Sequence, residues 1–227
     1  MPGETELQSS YRRVWEAFTR APGTADGRHD TPRWRGSSGP YAACVVRVPA
    51  ELLQPQLSGI RDRLRGLSEA RLHPDHFLHI MLQELGFVVP HPSRRDEISS
   101  VRLEEFAQSA IEPVSSTAPF EIALGPVNAF EDAVFLETGG GARLSKLHSR
   151  LFELAAIPSE PDFSYLPHCT LAHFTGIAST ASAVAALTPF RSEPLGVLRV
   201  TEVEIVTMDA TETYPTLESY AVIPLGR

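Results

Sequence analysis

Lysine, cysteine and long apolar runs are all scarce in this sequence. Lys146 is the sole lysine, so a Schiff-base or other lysine nucleophile is confined to one position. Two cysteines, Cys44 and Cys169, cannot build a disulfide framework or a four-thiolate zinc site. The expectation is a reduced, cytoplasmic protein. No apolar run approaches the roughly 18 residues that a membrane span requires, and Met1–Glu6 has neither a basic nor an apolar stretch, so no secretory signal is expected. Positive charge is short as well: 20 basic residues stand against 28 acidic ones, a net charge of −8. That balance argues against a long nucleic acid as partner, because the phosphate term needs a basic face. A small anion in a local pocket remains compatible with it.

What is present describes a globular chain. Of 227 residues, 42% are apolar and 21% charged, and at roughly 150 residues per domain the length fits one large domain or two small ones. Residues 1–40 differ from the rest. Tyr11–Arg20 has the spacing of a short amphipathic helix, with Tyr11, Val14 and Phe18 on one stripe, and 21–40 is rich in Gly, Pro, Asp, Ser and Arg, as in a flexible linker. This reads as an N-terminal extension, with Trp15 and Trp34 as the residues through which it would dock, ahead of a domain spanning 41–227.

From Tyr41 onward strand and helix patterns alternate. Strands are expected at 41–49, 77–89, 120–124, 133–137, 165–174, 197–208 and 219–225, and helices at 51–67, 101–112, 144–156 and 180–187. The closing strands run together through short connections, which points to an α+β fold with mostly antiparallel sheets. The pattern restarts half-way, as in a pseudo-symmetric, two-lobed protein with a central cleft.

Two of the strands carry a histidine in a similar setting: His79-Ile80-Met81-Leu82 and His168-Cys169-Thr170-Leu171, the histidines 168 − 79 = 89 residues apart. Residues two apart on a strand share a face. His79 with Met81, and His168 with Thr170, therefore point one way, and their neighbours pack on the other side. Imidazole titrates near neutrality and can both take and give a proton there, so two imidazoles across a cleft suit paired acid–base chemistry.

A histidine, any residue, then threonine or serine, occurring twice about ninety residues apart on strands, resembles the signature of the two-histidine phosphoesterase superfamily, which includes 2′–5′ RNA ligase-like proteins and cyclic nucleotide phosphodiesterases. Leu166-Pro167-His168-Cys169-Thr170-Leu171-Ala172 is similar to that family's second motif, including its preceding proline. Leu78 to Gly86 (LHIMLQELG) is similar to the first. The resemblance covers the chain from Tyr41 to Leu225. It implies a bilobal fold, no cofactor, and metal-independent cleavage or formation of a 2′-linked phosphoester, commonly a 2′,3′-cyclic phosphate. His79 and His168 would be the general acid–base pair and Thr170 a phosphate ligand, with a small nucleotide or an RNA end as substrate.

Two positions depart from the family pattern. Met81 stands where the family has a hydroxyl residue, and a thioether cannot donate a hydrogen bond to phosphate. Arg94, Arg95, Arg143 and Tyr165 are the candidate replacement donors. His173 stands where many relatives carry arginine. The departure at Met81 leaves an alternative reading, a nucleotide- or RNA-end-binding protein of the same fold with weakened or lost turnover.

Other motifs carry less. His73, Asp75, His76 and His79 invite a metal reading, but residues three apart on an extended segment face opposite ways, and at least three ligands must converge. Cys169 cannot be activated by the adjacent His168, whose side chain points away from it. Gly139-Gly140-Gly141 lacks the lysine and hydroxyl of a phosphate-binding loop and fits a hairpin or a strand-to-helix connection. His29, His91 and His148 are expected at the surface, and Arg94-Arg95, followed by Asp96-Glu97, resembles a solvated charge cluster more than a phosphate clamp.

Overall fold

The computed structural model describes residues 3–28, 30–37, 39–157 and 164–226; His29 lies outside them. The first helix, α1 (Glu4–Arg20), begins seven residues earlier than Tyr11, with Glu4 and Glu6 in its first turn, where carboxylates favour the helix dipole. Leu7, Tyr11 and Phe18 are buried along one stripe of it. A short turn of helix, α2 (Pro32–Arg35), follows.

The stretch between α1 and residue 41, expected as a flexible linker, is pinned at several of its described residues. Thr24, Ala25 and Gly27 donate their N–H groups to the carbonyls of Ala178, Glu131 and Phe174 at 2.7–2.9 Å. Asp30 is held by Arg71 and Arg35, and Trp34 packs against Tyr41 and Phe87, at centroid distances of 4.4 and 4.9 Å. Composition rich in Gly and Pro disfavours regular structure, yet it leaves N–H groups available to pair with other segments.

Strand β1 (Tyr41–Arg47) leads to the region expected as one helix over 51–67. Pro55 divides it into a 3-10 turn (Ala50–Leu53) and α3 (Gln56–Arg65), because proline lacks the N–H that a helix interior uses. The apolar spacing survives the break: Leu53, Leu57, Ile60 and Leu64 are all buried. Then come β2 (Ala70–Leu72), a 3-10 turn at Asp75–Phe77, β3 (His79–Val88), β4 (Glu97–Ile98), α4 (Ser100–Ser115), β5 (Phe120–Ala129), β6 (Ala133–Gly139), α5 (Ala142–Ala155), β7 (Cys169–Phe174), α6 (Thr180–Leu187), β8 (Gly196–Val200), β9 (Glu202–Met208) and β10 (Glu218–Pro224). None of the helices among the described residues is long and apolar enough to cross a membrane.

The strands pair in the order β10-β9-β1-β3-β7-β6-β5-β8, with β2 beside β7 and β4 beside β3. All pairings are antiparallel except β3 with β4. The single expected strand over 197–208 is two strands, β8 and β9, lying six strand spacings apart along this path. In a flat sheet that separation would be about 29 Å, whereas the one residue between them, Thr201, allows about 7 Å. The sheet must therefore curl, bringing its far halves together at Thr201, where the Leu225 N–H also bonds the Thr201 carbonyl (2.8 Å).

Each half contributes four strands to the main path, and the halves meet at β3 and β7. Alternate residues of the strands (Cys44, Val46, Ile80, Leu82, Val134, Leu136, Cys169, Leu171) join the apolar stripes of α3–α6 in one large core on the outer face. The opposite residues form two smaller clusters on the inner face: one around Tyr41, Val45, Phe87 and Met208 in the first half, the other around Phe135 with Leu7 and Tyr11 of α1 in the second.

The depth at which α1 is integrated can be measured. Phe18 is 1% exposed and stacks on Phe174 (6.1 Å, 7° between planes), so Phe18→Ala is expected to lower the unfolding free energy by about 3–5 kcal/mol, read as a shift in urea midpoint at unchanged slope. A loss below about 1 kcal/mol would make the helix a loosely attached appendage.

Candidate active site

Strands β3 and β7 are hydrogen-bonded at a single position, Ile80 opposite Cys169. In an antiparallel pair this register sets His79 across from Thr170 and Met81 across from His168. Ile80 and Cys169 are fully buried in the outer core. The four flanking side chains therefore emerge together on the inner face, where they line one cavity of about 1040 Å³. The two motif strands are thus brought together, and the alternation of their residues puts these four side chains on one face.

The two imidazoles are held alike. Nδ1 of His79 lies 2.7 Å from the carbonyl oxygen of Phe77, and Nδ1 of His168 lies 2.7 Å from that of Leu166. A carbonyl only accepts, so each Nδ1 carries the proton, and the neutral ring presents its Nε2 lone pair at the end away from the main chain. In both cases the acceptor sits two residues before the histidine, so the main chain fixes tautomer and orientation the same way in each half. The surroundings are aromatic: Phe130 and Phe135 pack against His168 at 5.4 and 5.1 Å, and Phe77 meets His79 edge-on at 5.2 Å. Burial pushes the His168 pKa below the usual imidazole value, outweighing the opposing pull of the Leu166 carbonyl and the Asp132 charge. His168 is accordingly neutral at pH 7.

Beyond the single pair of the seam, side chains meet the next carbonyls of β3. The Tyr165 hydroxyl donates to the Met81 carbonyl (2.8 Å), and Nδ1–H of His148 donates to the Leu82 carbonyl (2.6 Å). The two rings stack at 3.9 Å and 12°. Tyr165, a candidate phosphate donor from sequence, thus spends its hydroxyl on the main chain, and burial raises its pKa well above the usual phenol value. His148, expected at the surface, is partly buried and lines the cavity. The signal was available: 148 falls at i+4 from Leu144 and i−3 from Leu151, on the buried stripe of α5.

The arginines expected as donors lie elsewhere. Arg94 is exposed and pairs with Asp96 (2.7 Å) and Glu97 (3.4 Å), the outcome its acidic neighbours foreshadowed. Arg95 is exposed and outside the cavity lining. Arg143 is exposed and lies over the Phe120 ring at 5.5 Å. The Thr170 hydroxyl, by contrast, is in the cavity wall and has no hydrogen-bond partner among the described residues. Met81 packs with the inner apolar cluster of the first half.

The histidines and the acid of the metal reading are drawn apart. His73 Nε2 lies 3.1 Å from His173 Nδ1, in a buried imidazole pair. Asp75 bonds Arg61 (2.5 Å), and His76 bonds the Tyr214 carbonyl (3.1 Å). Among the described residues no group of three or more His, Cys, Asp or Glu could hold a metal ion. Both cysteines are free and fully buried; burial raises the Cys169 thiol to about 12, which suits a packing role rather than a nucleophile. Gly139-Gly140-Gly141 is the connection from β6 to α5, with Gly140 at φ +80°.

A family model, the 2′-5′ RNA ligase superfamily, matches residues 49–212, more than half of the chain and inclusive of both motif strands. The chain belongs to that superfamily. Among solved structures, this member is similar to a Thermus thermophilus protein (19% identity, 82% of this chain and 99% of that one, TM-score 0.60). It is also similar to Escherichia coli LigT in complex with phosphate (18% identity, 84% and 100%, TM-score 0.61) and in complex with 3′-AMP (18%, 84% and 100%, TM-score 0.58). At these identities the likeness establishes the fold. No curated protein matches the chain.

The lowered His168 pKa has a definite sign. An unfolded imidazole titrates near 6.5, so as pH falls the unfolded chain takes up this proton first. The His168 contribution to stability is complete above about pH 6.5 and drops away as pH falls toward the folded-state pKa. An NMR titration of imidazole nitrogens is expected to place the His168 midpoint below 6.5, with Nδ1 as the protonated nitrogen above it. A midpoint above 6.5 would contradict the burial argument.

Proposed function

We propose that this protein is a metal-independent phosphodiesterase acting on a 2′,3′-cyclic phosphate or another 2′-linked phosphoester of a nucleotide or RNA end. The observation that carries this reading is the matched pair of imidazoles, His79 and His168, each oriented by the carbonyl two residues back and both facing one cavity across the seam. LigT, of the same fold, has been solved with phosphate and with 3′-AMP, which supports a nucleotide-sized ligand here.

In the proposed reaction neutral His168 is the general base. Its Nε2 takes a proton as a water oxygen attacks phosphorus, and His79, entering as imidazolium, gives its Nε2 proton to the departing ribose oxygen. One phosphorus–oxygen bond forms, one breaks, and the ring opens to a phosphomonoester. Each proton transfer of this kind is worth about 10²–10⁴-fold. Thr170 donates its hydroxyl to a non-bridging oxygen as negative charge builds there. Met81 gives no such donor from the first half, and the loss of one donor costs about 2.7–4 kcal/mol of transition-state stabilisation where nothing replaces it. That same substitution favours the second reading, a protein that binds nucleotide phosphates with little or no turnover.

Substrate size follows from charge. Glu6, Asp30, Glu84, Asp132 and Glu212 line the cavity beside two arginines, an arrangement that repels a polyanion lying along it.

EDTA-treated protein is expected to hydrolyse a 2′,3′-cyclic nucleotide, and His168→Ala and His79→Ala each to lose at least about 10²-fold in rate. Met81→Thr is expected to raise kcat. Nucleotide binding by calorimetry with no product formed would favour the binding protein, and hydrolysis surviving in His168→Ala would remove that residue from the mechanism.

A further inference from the structure

The wall of the cavity beside His168 is supplied by α1, outside the segment that matches the family. Glu6, Leu7, Ser10, Arg13 and Val14 line it, at spacings that put them on one face of the helix. The helix is fixed against the second half at several points. The Tyr11 hydroxyl donates to the Pro167 carbonyl (2.5 Å), adjoining His168. The Asn128 side chain donates to the Tyr11 carbonyl (2.9 Å), and the Gly140 N–H donates to Glu4 (2.9 Å). A residue two positions from Tyr11 therefore has a determined place relative to the motif strand.

Arg13 and Arg71 are the arginines that line the cavity, and the sole lysine does not. Their situations differ. Arg71 is gripped by both carboxylate oxygens of Asp30, at 2.6 and 3.2 Å, a carboxylate it shares with Arg35, so two of its guanidinium nitrogens are engaged inside the protein. Arg13 makes a hydrogen bond to the Ser10 hydroxyl (3.0 Å) and has no acidic partner among the described residues. A guanidinium with no carboxylate on it keeps most of its N–H donors for an anion entering the cavity, and holds such an anion through paired N–H donors.

We propose that Arg13 forms a second anion subsite, which binds an additional phosphate of the substrate, distinct from the phosphate between the histidines. The preferred ligand class is then a nucleotide or short RNA end bearing two separated phosphates rather than a nucleoside with a single cyclic phosphate. This inference rests on the proposed function for the position of the first phosphate. Its chemistry also predicts salt sensitivity, since Arg13 is exposed and exposed charge pairs are screened.

The test uses unreactive product-like probes and needs no turnover. Calorimetry would compare a nucleoside 2′-monophosphate with the corresponding 2′,5′-bisphosphate on the full chain, in wild type, Arg13→Ala and Arg13→Lys. A charge-assisted contact of this kind predicts at least about tenfold tighter binding of the bisphosphate by wild type. Arg13→Ala should abolish that preference while changing monophosphate affinity less than about twofold, and Arg13→Lys should keep part of it. Equal affinity of wild type for the two probes, or an undiminished preference in Arg13→Ala, overturns the subsite and leaves the paired-histidine reading standing. Binding of neither probe by wild type overturns both. An equal loss of both probes in Arg13→Ala would show a general effect of the helix and also overturn the subsite.

Discussion

One backbone pairing, Ile80 with Cys169, organises this molecule. It is the point where β3 and β7 touch, and the alternation of strand side chains converts it into two outcomes. The outward residues seal the large core beneath the sheet, and the inward ones assemble His79, Met81, His168 and Thr170 in a square. Shifting either strand by one residue would turn its histidine into the core and expose an apolar side chain, so packing of the outer face sets the register of the inner one. Beyond that pair the carbonyls of Met81 and Leu82 are met by Tyr165 and His148 and not by the main chain of β7.

Burial also sets the chemistry of His168. Aromatic neighbours remove water from His168 and lower its proton affinity, while the Leu166 carbonyl and Asp132 act the other way. The larger effect wins, and the neutral form of the ring is favoured. The two halves are alike in backbone and unlike in chemistry. The second offers a hydroxyl at the position where the first offers a thioether packed among apolar side chains, so hydrogen-bond donation into the cavity is lopsided even though the imidazoles are held alike.

Much of this was legible in the sequence where the governing rule is local. The period-two alternation places both histidines on a common face, and the 3.6-residue spacing marks the buried stripes of α3, α4 and α5. What escaped depended on distant partners. Nothing near Tyr165 announces that its hydroxyl meets Met81, 84 residues away in sequence. The Gly- and Pro-rich stretch after α1 has the composition of a linker, but its N–H groups meet carbonyls from β7 and the loops around it. His148 escapes for a different reason: it stands among Leu144, Leu147 and Leu151 of α5, and a polar side chain on a helix is ordinarily found in solvent. Arg143, as a long cation at a helix start, had no local feature to tell a phosphate clamp from its perch over Phe120.

The early helix connects stability to the site through one buried hydroxyl. Tyr11 is 1% exposed, and burial raises its pKa to about 12, so it keeps its proton across the neutral range and remains a donor to the Pro167 carbonyl. It also accepts from the Thr138 N–H (3.2 Å), which satisfies the oxygen on both sides. A buried polar group with full partners specifies position strongly, because any displacement leaves an unsatisfied donor or acceptor at a cost of about 1–3 kcal/mol. Here the displaced element would be either α1 or the peptide that leads into His168, and neither can move without the other. Helix α1 thus contributes to the geometry of the second motif through the main chain, while its Leu7 and Val14 supply apolar wall to the cavity that the motif faces.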